Sequence, residues 1–240
     1  MSLSARIYRT PVVYVMAICG AAAVALALLL SIVFVICGGS YLTHNEDGVT
    51  YRYFGFMDGD VPTLGVFRAT DGSGGSISGN EVKYKDGATY KGELLYLYPE
   101  GRGQLTDKYG NEYSGTFAGG KLTGGGTVKY ADGTTYAGQF KDGLFDGYGE
   151  ITYADGSTYK GYFLEGEKSG YGEYCYADGS VYKGDFANDM RHGEGEYRFA
   201  CGDNYKGSFE NNVIHGFGTY FFASGRTYSG EFAYGAPKAD

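Results

Sequence analysis

The sequence predicts an all-β fold: an elongated array of 23-residue antiparallel β-hairpin repeats forming a single twisted, meandering sheet, preceded by one transmembrane α-helix. Three observations carry this. A tyrosine recurs every 23 residues without insertion or deletion at Tyr90, Tyr113, Tyr136, Tyr159, Tyr182, Tyr205 and Tyr228. A glycine stands two residues after each, and Phe117, Phe140, Phe163, Phe186, Phe209 and Phe232 two further on, with Leu94 in the first unit. Ahead of them, Val12 to Cys37 holds no charged residue. A fixed period in this range marks a repeat array.

Residues 1–11 read as a short cytoplasmic tail with Arg6 and Arg9. The apolar run 12–37 is long enough to cross a ~30 Å hydrocarbon core as a helix. Pro11 suits its entry and Gly38-Gly39 its end. A cleaved signal peptide competes with this reading, but its apolar core is usually only ~7–15 residues. Basic Arg6 and Arg9 before the span, and acidic Glu46 and Asp47 after it, place the N-terminus in the cytoplasm and the array outside it.

Residues 38–83 read as a juxtamembrane segment with degenerate, capping repeats. Asp47-Gly48 precedes Tyr51 as an Asp-Gly precedes tyrosine in the clean units, which aligns Tyr51 as the lead residue. Terminal units of arrays are often atypical. From 84 to 240 the register is regular.

Within a unit, Tyr136, Gly138 and Phe140 alternate with Ala137 and Gln139, and Gly147, Gly149 and Ile151 alternate with Tyr148 and Glu150. That is the period of half-buried strands. Lys141 to Asp146 is expected as the longer loop, and Ala154-Asp155-Gly156-Ser157 as the tight turn into the next unit. The candidate columns are Tyr113, Tyr136, Tyr159, Tyr182 and Tyr205; Phe117, Phe140, Phe163, Phe186 and Phe209; and Gly124, Gly147, Gly170, Gly193 and Gly216, each two residues before a second glycine. Glycine weakens a strand. Its recurrence beside aromatics suggests that a ring lies flat on the backbone there. Stacked units would then bury continuous Tyr, Phe and Gly columns.

The stretch Tyr136 to Tyr159, YAGQFKDGLFDGYGEITYADGSTY, resembles the membrane occupation and recognition nexus (MORN) repeat, cleanly over about 84–235 and loosely over 44–83. The resemblance implies a scaffold: an elongated β-array that holds protein partners, sometimes dimerises and often works beside membranes. Phospholipid binding is a further implication. Local departures are Asp107 in an aromatic slot, Tyr109, Cys201 and Ser224 in place of the turn aspartate, and Asp189 in place of a loop glycine. These put the local turns in question.

Composition narrows the function. The formal net charge is −8, and setting aside the basic first 40 residues leaves −10. Such a surface argues against nucleic acid, whose phosphates demand lysine and arginine, and against strong binding to anionic lipid. Cys175 and Cys201 occupy non-equivalent positions of neighbouring repeats, about two strand spacings apart, beyond the ~7 Å reach of a disulfide. His192 and His215 are equivalent but similarly separated, too far for one zinc ion. The turn aspartates Asp132, Asp155 and Asp178 suit turns better than calcium.

No nucleophile elbow, zincin motif or phosphate loop occurs, and the array runs almost to Asp240. No catalytic residue, cofactor or metal is expected. The expected function is a non-catalytic, membrane-anchored scaffold or protein-interaction module. The alternatives are an extracytoplasmic binder of cell-wall or surface glycan, weakened by the absence of tryptophan, and a phospholipid-contacting tether. Specificity is expected in the segments that vary most between units: 118–123, 141–146, 164–169, 187–192 and 210–215.

Overall fold

The computed structural model describes residues 39–46, 49–95 and 97–238. The apolar run 12–37 lies outside them, and among the described residues no helix is long and apolar enough to cross a membrane. The described chain is all-β, an antiparallel meander of hairpins. It divides into two compact units. One takes the described residues up to Tyr109 with Phe117–Gly120; the other takes Gly110–Thr116 and the residues from Lys121 onward.

In the first unit, β1 (Gly39–Glu46), β2 (Val49–Asp58), β3 (Val61–Ala69), β4 (Gly74–Ser78), β5 (Glu81–Tyr84), β6 (Thr89–Leu95) and β7 (Tyr98–Thr106) each pair antiparallel with the next. The lead tyrosine here is Tyr53, not Tyr51. Tyr53 is 1% exposed, and its hydroxyl donates to Phe56 O and Leu64 O at 2.8 and 2.9 Å. Spacing from Asp47-Gly48 points to Tyr51, but only Tyr53 has a glycine two residues on, Gly55, paired with Gly65. The glycine requirement sets the register.

β8 (Glu112–Ala118) supplies residues to both units. In the second unit β9 (Lys121–Lys129), β10 (Thr135–Lys141), β11 (Leu144–Thr152), β12 (Thr158–Leu164), β13 (Glu167–Cys175) and β14 (Val181–Ala187) follow one another antiparallel. β15 (Met190–Arg198), β16 (Asn204–Glu210), β17 (Val213–Phe221), β18 (Thr227–Ala233) and β19 (Ala236–Pro237) continue the meander.

The expected loop 141–146 is instead a two-residue turn. Lys141 pairs with Leu144, leaving only Asp142 and Gly143, at φ 51° and 85°. Two consecutive left-handed residues match the right-handed twist of a hairpin. The remaining residues are absorbed by a bulge: between the pairs Gly138–Gly149 and Phe140–Phe145, β10 has one residue and β11 three.

That bulge explains the glycine pair. Gly124, Gly147, Gly170, Gly193 and Gly216 all adopt positive φ, between 64° and 99°, a conformation that glycine holds without steric penalty. The second glycine has a different task. A Cβ on Gly149 would lie 2.5 Å from the Tyr136 hydroxyl, because the ring lies flat across Gly138 and Gly149.

Tyr136, Tyr159, Tyr182 and Tyr205 are at most 1% exposed, and Phe117, Phe140, Phe163, Phe186 and Phe209 at most 5%; Tyr113 is half-buried. Each phenylalanine of the inner units stands edge-on to two tyrosines. Phe163 lies 5.2 Å from Tyr159 and 5.4 Å from Tyr136, and Phe186 lies 5.1 and 5.0 Å from Tyr182 and Tyr159. Such pairs contribute about 0.5–1.5 kcal/mol beyond area burial.

The hydroxyl also has work to do. Tyr136, Tyr159 and Tyr182 donate to the carbonyls of Gln139, Tyr162 and Asp185 at 2.8–2.9 Å, the residue that the bulge removes from regular pairing. We expect Tyr136→Phe to lower stability by about 1–2 kcal/mol, since it leaves a part-buried carbonyl without its donor. Urea denaturation read by circular dichroism measures this, and an unchanged midpoint would remove the bond from the account.

Candidate functional site

In the second unit the two sheet faces differ chemically. Opposite the tyrosine columns, Glu150, Lys160, Glu173, Lys183, Glu196 and Lys206 pair in succession across six strands. Lys160 reaches Glu150 at 3.3 Å and Lys183 reaches Glu173 at 3.1 Å. All four side chains are about half-exposed, so each pair adds little stability. Beside this ladder Tyr148 and Tyr162 pair edge-on at 5.4 Å, with Tyr171 exposed on the same face.

The tyrosine face carries the candidate site. Along the strand ends that lead into the Asp-Gly turns, half-buried rings form an unbroken series, Tyr153, Tyr174, Tyr176, Tyr197, Phe199 and Tyr220, that ends in the exposed Phe222, with successive centroids 4.3–5.8 Å apart. They alternate with the buried column because residues two apart share a face. From Tyr174 onward the successive rings are tilted 37–54° to one another, giving a corrugated surface.

Hydroxyls at one end of the series are tied to the turns. Tyr174 and Tyr197 bond the hydroxyls of Ser157 and Ser180 at 3.2 and 3.1 Å. Those serines in turn bond Asp155 and Asp178, whose carboxyls are held below their ordinary range by the serine hydroxyl and amide. In the next unit Cys201 replaces the turn aspartate and Asp203 replaces the serine. Asp203 accepts from Ala223 N–H at 2.8 Å and from the Tyr220 hydroxyl at 2.7 Å, which together lower its pKa. The turn itself is intact, with Gly202 N–H bonded to Phe199 O at 3.0 Å, as Gly156 N–H is to Tyr153 O. The Ser224 turn is likewise closed, by Gly225 N–H to Phe222 O at 2.9 Å. The departures at Cys201 and Ser224 do not break their turns.

Lys168 and Arg191 lie among these rings, and sequence reasoning did not single them out. Across the repeats one column reads Leu122, Phe145, Lys168, Arg191, Ile214; Phe145 stacks on Tyr136 at 3.7 Å. In the same place the Lys168 ammonium lies 5.9 and 5.7 Å from the centroids of Tyr153 and Tyr159. The Arg191 guanidinium sits 4.9 Å from Tyr197 and 5.8–6.0 Å from Tyr176, Tyr182 and Phe209. Cations are attracted to ring faces at these distances.

Each cation has a partner in the following unit, where the loop glycine is replaced. Asp189, at φ 65°, accepts from Lys168 N–H at 3.0 Å and pairs with its ammonium at 2.9 Å. Asn212, at φ 71°, accepts from Arg191 N–H at 2.9 Å through Oδ1, and its backbone carbonyl takes Arg191 Nη2 at 2.6 Å. The units without a cation keep glycine there (Gly143, Gly166 and Gly235). So Asp189 preserves its turn and adds a bond. Burial opposes the Lys168 charge, but Asp189 and Tyr153 outweigh it and hold the ammonium above its ordinary pKa. Burial likewise works against the Asp189 carboxylate, and Lys168 more than offsets it, lowering the pKa.

Burial raises the phenols of Tyr153 and Tyr176, with Lys168 and Arg191 respectively opposing that rise. These rings therefore present neutral, half-exposed apolar surface with a hydroxyl at one edge. Cys175 and Cys201 are free thiols. Among the described residues no three His, Cys, Asp or Glu side chains converge as a metal site; His192 is exposed and His215 lies 3.6 Å from Glu210.

The family comparison agrees with the repeat geometry. The family model described as MORN repeat matches residues 113–135, 136–158, 159–181, 182–203 and 205–225. No curated protein matches the chain. Among solved structures, the SAS-4 (dCPAP) TCP domain of Drosophila melanogaster, in complex with a proline-rich motif of Ana2 (dSTIL), aligns at 15% identity and a TM-score of 0.40, over 68% of this chain and 86% of that one. The matched segments begin on Tyr113, Tyr136, Tyr159, Tyr182 and Tyr205, of which the last four lie ring-on-glycine, and residues 113–225 of this chain are five consecutive MORN repeats.

Proposed function

We propose that this chain is a non-catalytic, membrane-anchored interaction module that docks a protein partner on the corrugated aromatic series of its tyrosine face. The observation that carries the reading is the series itself, Tyr153 to Phe222, in which seven rings with centroids at most 5.8 Å apart remain partly exposed. Rings of this kind are enriched where proteins bind one another, and they anchor contacts at low conformational cost. The apolar run 12–37 supports the anchor, and the flanking charges support an extracytoplasmic array. Net charge of −8 disfavours a lipid surface as the main ligand.

Two measurements test this. Protease digestion of the array in intact cells supports the outward orientation; protection lost only on lysis would place the array in the cytoplasm instead. For the docking face, the full chain is used to capture partners from envelope fractions alongside a Tyr176→Ser/Phe199→Ser variant. Both rings are half-exposed, so the sheet should persist by circular dichroism. Retention of the same partners by the variant would remove the aromatic series from the interface.

A further inference from the structure

Lys168 and Arg191 differ in one respect. Lys168 is neutralised by the Asp189 carboxylate, at 2.9 Å. Arg191, in the equivalent place one unit on, is met by the neutral Asn212. Its Nε–H is buried and finds no hydrogen-bond partner among the described residues, and beyond the ring contacts the guanidinium's hydrogen bond is the one from Nη2 to Asn212 O. A half-buried guanidinium so placed is a charge awaiting its counter-ion, because burying unpaired charge and unsatisfied donors is unfavourable. In a chain of net charge −8, a nearby carboxylate would have been easy to supply. The neighbouring unit supplies one.

We propose that Arg191 is an anion subsite within the aromatic series, and that it receives the single side-chain carboxylate of an otherwise apolar peptide segment of the partner, whose apolar side chains enter between Tyr176, Tyr197 and Phe199. This rests on the docking face proposed above and names the chemistry of what docks there. Guanidinium and carboxylate match in charge and planarity, and such pairs are strong where water is excluded. The ring geometry favours a peptide over a sugar. Tilts of 37–54° between neighbouring rings leave notches for side chains instead of one flat shelf. The acidic chain repels extended polyanions, so the ligand brings a single well-placed negative charge.

The repeats themselves supply the test. Asn212→Asp copies at 212 what Asp189 already does at 189: the backbone holds left-handed φ at both places, so the fold tolerates it while the guanidinium becomes paired. Asp189→Asn does the reverse and frees Lys168. Arg191→Ile copies Ile214 of the next unit, removing the charge and keeping the column apolar.

The full chain in detergent is titrated with a capped peptide carrying one glutamate among leucines, with its glutamine counterpart, with glucuronate and with inorganic phosphate, following the Arg191 side-chain resonances. The wild type should prefer the glutamate peptide over the glutamine peptide by about tenfold. Asn212→Asp and Arg191→Ile should erase that preference, and Asp189→Asn should strengthen binding of the glutamate peptide several-fold. Equal binding of the two peptides, a preference that survives Asn212→Asp, or no perturbation of Arg191 by any probe would overturn the proposal. Binding of glucuronate without the peptide would also overturn it and assign an acidic sugar; phosphate alone would assign a simple anion site. If envelope partners are captured equally by the wild type and Asn212→Asp, the anion subsite fails while the docking face stands. If the Tyr176→Ser/Phe199→Ser variant also captures them, the docking face fails too.

Discussion

Gly172→Ala should destabilise the sheet by about 3 kcal/mol, the upper part of the range for an overpacked core, whereas Gly125→Ala should change stability by no more than about 0.5 kcal/mol. The two glycines look alike in sequence, each in a Gly-x-Gly or Gly-Gly-Gly run within a strand. Their surroundings differ. A Cβ on Gly172 would lie 2.5 Å from Cε2 and 2.6 Å from the hydroxyl of Tyr159. The ring cannot step aside. Its hydroxyl donates to Tyr162 O at 2.9 Å, and Phe163 and Phe186 close its edges at 5.2 and 5.0 Å. A Cβ on Gly125 meets nothing nearer than Gln139 Nε2 at 3.8 Å. Urea melts of the two variants compare them directly. Equal stability would mean that ring-on-backbone packing is not what the second glycine of the pair is for.

How much of this was legible beforehand depends on the residue. The Tyr and Phe columns were, because period-23 identity combined with alternation leaves one face for them. The two glycines of each pair read as one feature, and they are two: Gly147 bends the bulge at φ 99°, while Gly149 lies under Tyr136. Composition alone cannot separate a glycine needed for its φ from one needed for its missing Cβ. The bulge itself was illegible, since Lys141 to Asp146 has the turn-rich composition of a loop even though Lys141 and Leu144 pair. Asp-Gly spacing points to Tyr51, but the ring needs a glycine two residues downstream, and only Tyr53 has one, in Gly55.

The cations were within reach of the sequence. Reading down the column Leu122, Phe145, Lys168, Arg191, Ile214 shows two charges in an otherwise apolar place, and the loop glycine departs to Asp189 and Asn212 one unit later. Each departure taken singly looks like drift. Taken as a pair displaced by one repeat, they describe a contact: the loop residue's N–H bonds the carbonyl of that column in the preceding unit at every step, from Gly143 to Leu122 O at 2.9 Å through Gly235 to Ile214 O at 3.0 Å. Only Asp or Asn there can return a side-chain bond while holding left-handed φ without excessive strain. What the sequence could not give is where Arg191 lies, half-buried against four rings, since that requires the fold of its neighbours.

Alkaline conditions should unfold the array through the same tyrosines that hold it together. Burial pushes the phenols of Tyr53, Tyr90 and Tyr136 up to about 12, and those of Tyr159 and Tyr182 rise in the same direction for the same first cause. An unfolded tyrosine ionises near pH ~10. Between those values the folded state retains protons that the unfolded state has released, so stability falls as pH rises. The contribution is therefore complete below pH ~10 and is lost progressively as the pH climbs to about 12. Because Tyr90, Tyr136, Tyr159 and Tyr182 also stand edge-on to phenylalanines, ionising one exposes its neighbours, and the loss should be steep. Simultaneous recording of circular dichroism and tyrosinate absorbance tests this: the sheet signal should disappear together with the ionisation of the buried fraction. A sheet signal that outlasts ionisation of all 26 tyrosines would show that the columns are not shielded. Tyr136→Phe makes the argument sharper. It should be less stable than the wild type at neutral pH, for want of the bond to Gln139 O, yet lose less of its remaining stability above pH ~10, having one fewer phenol to ionise.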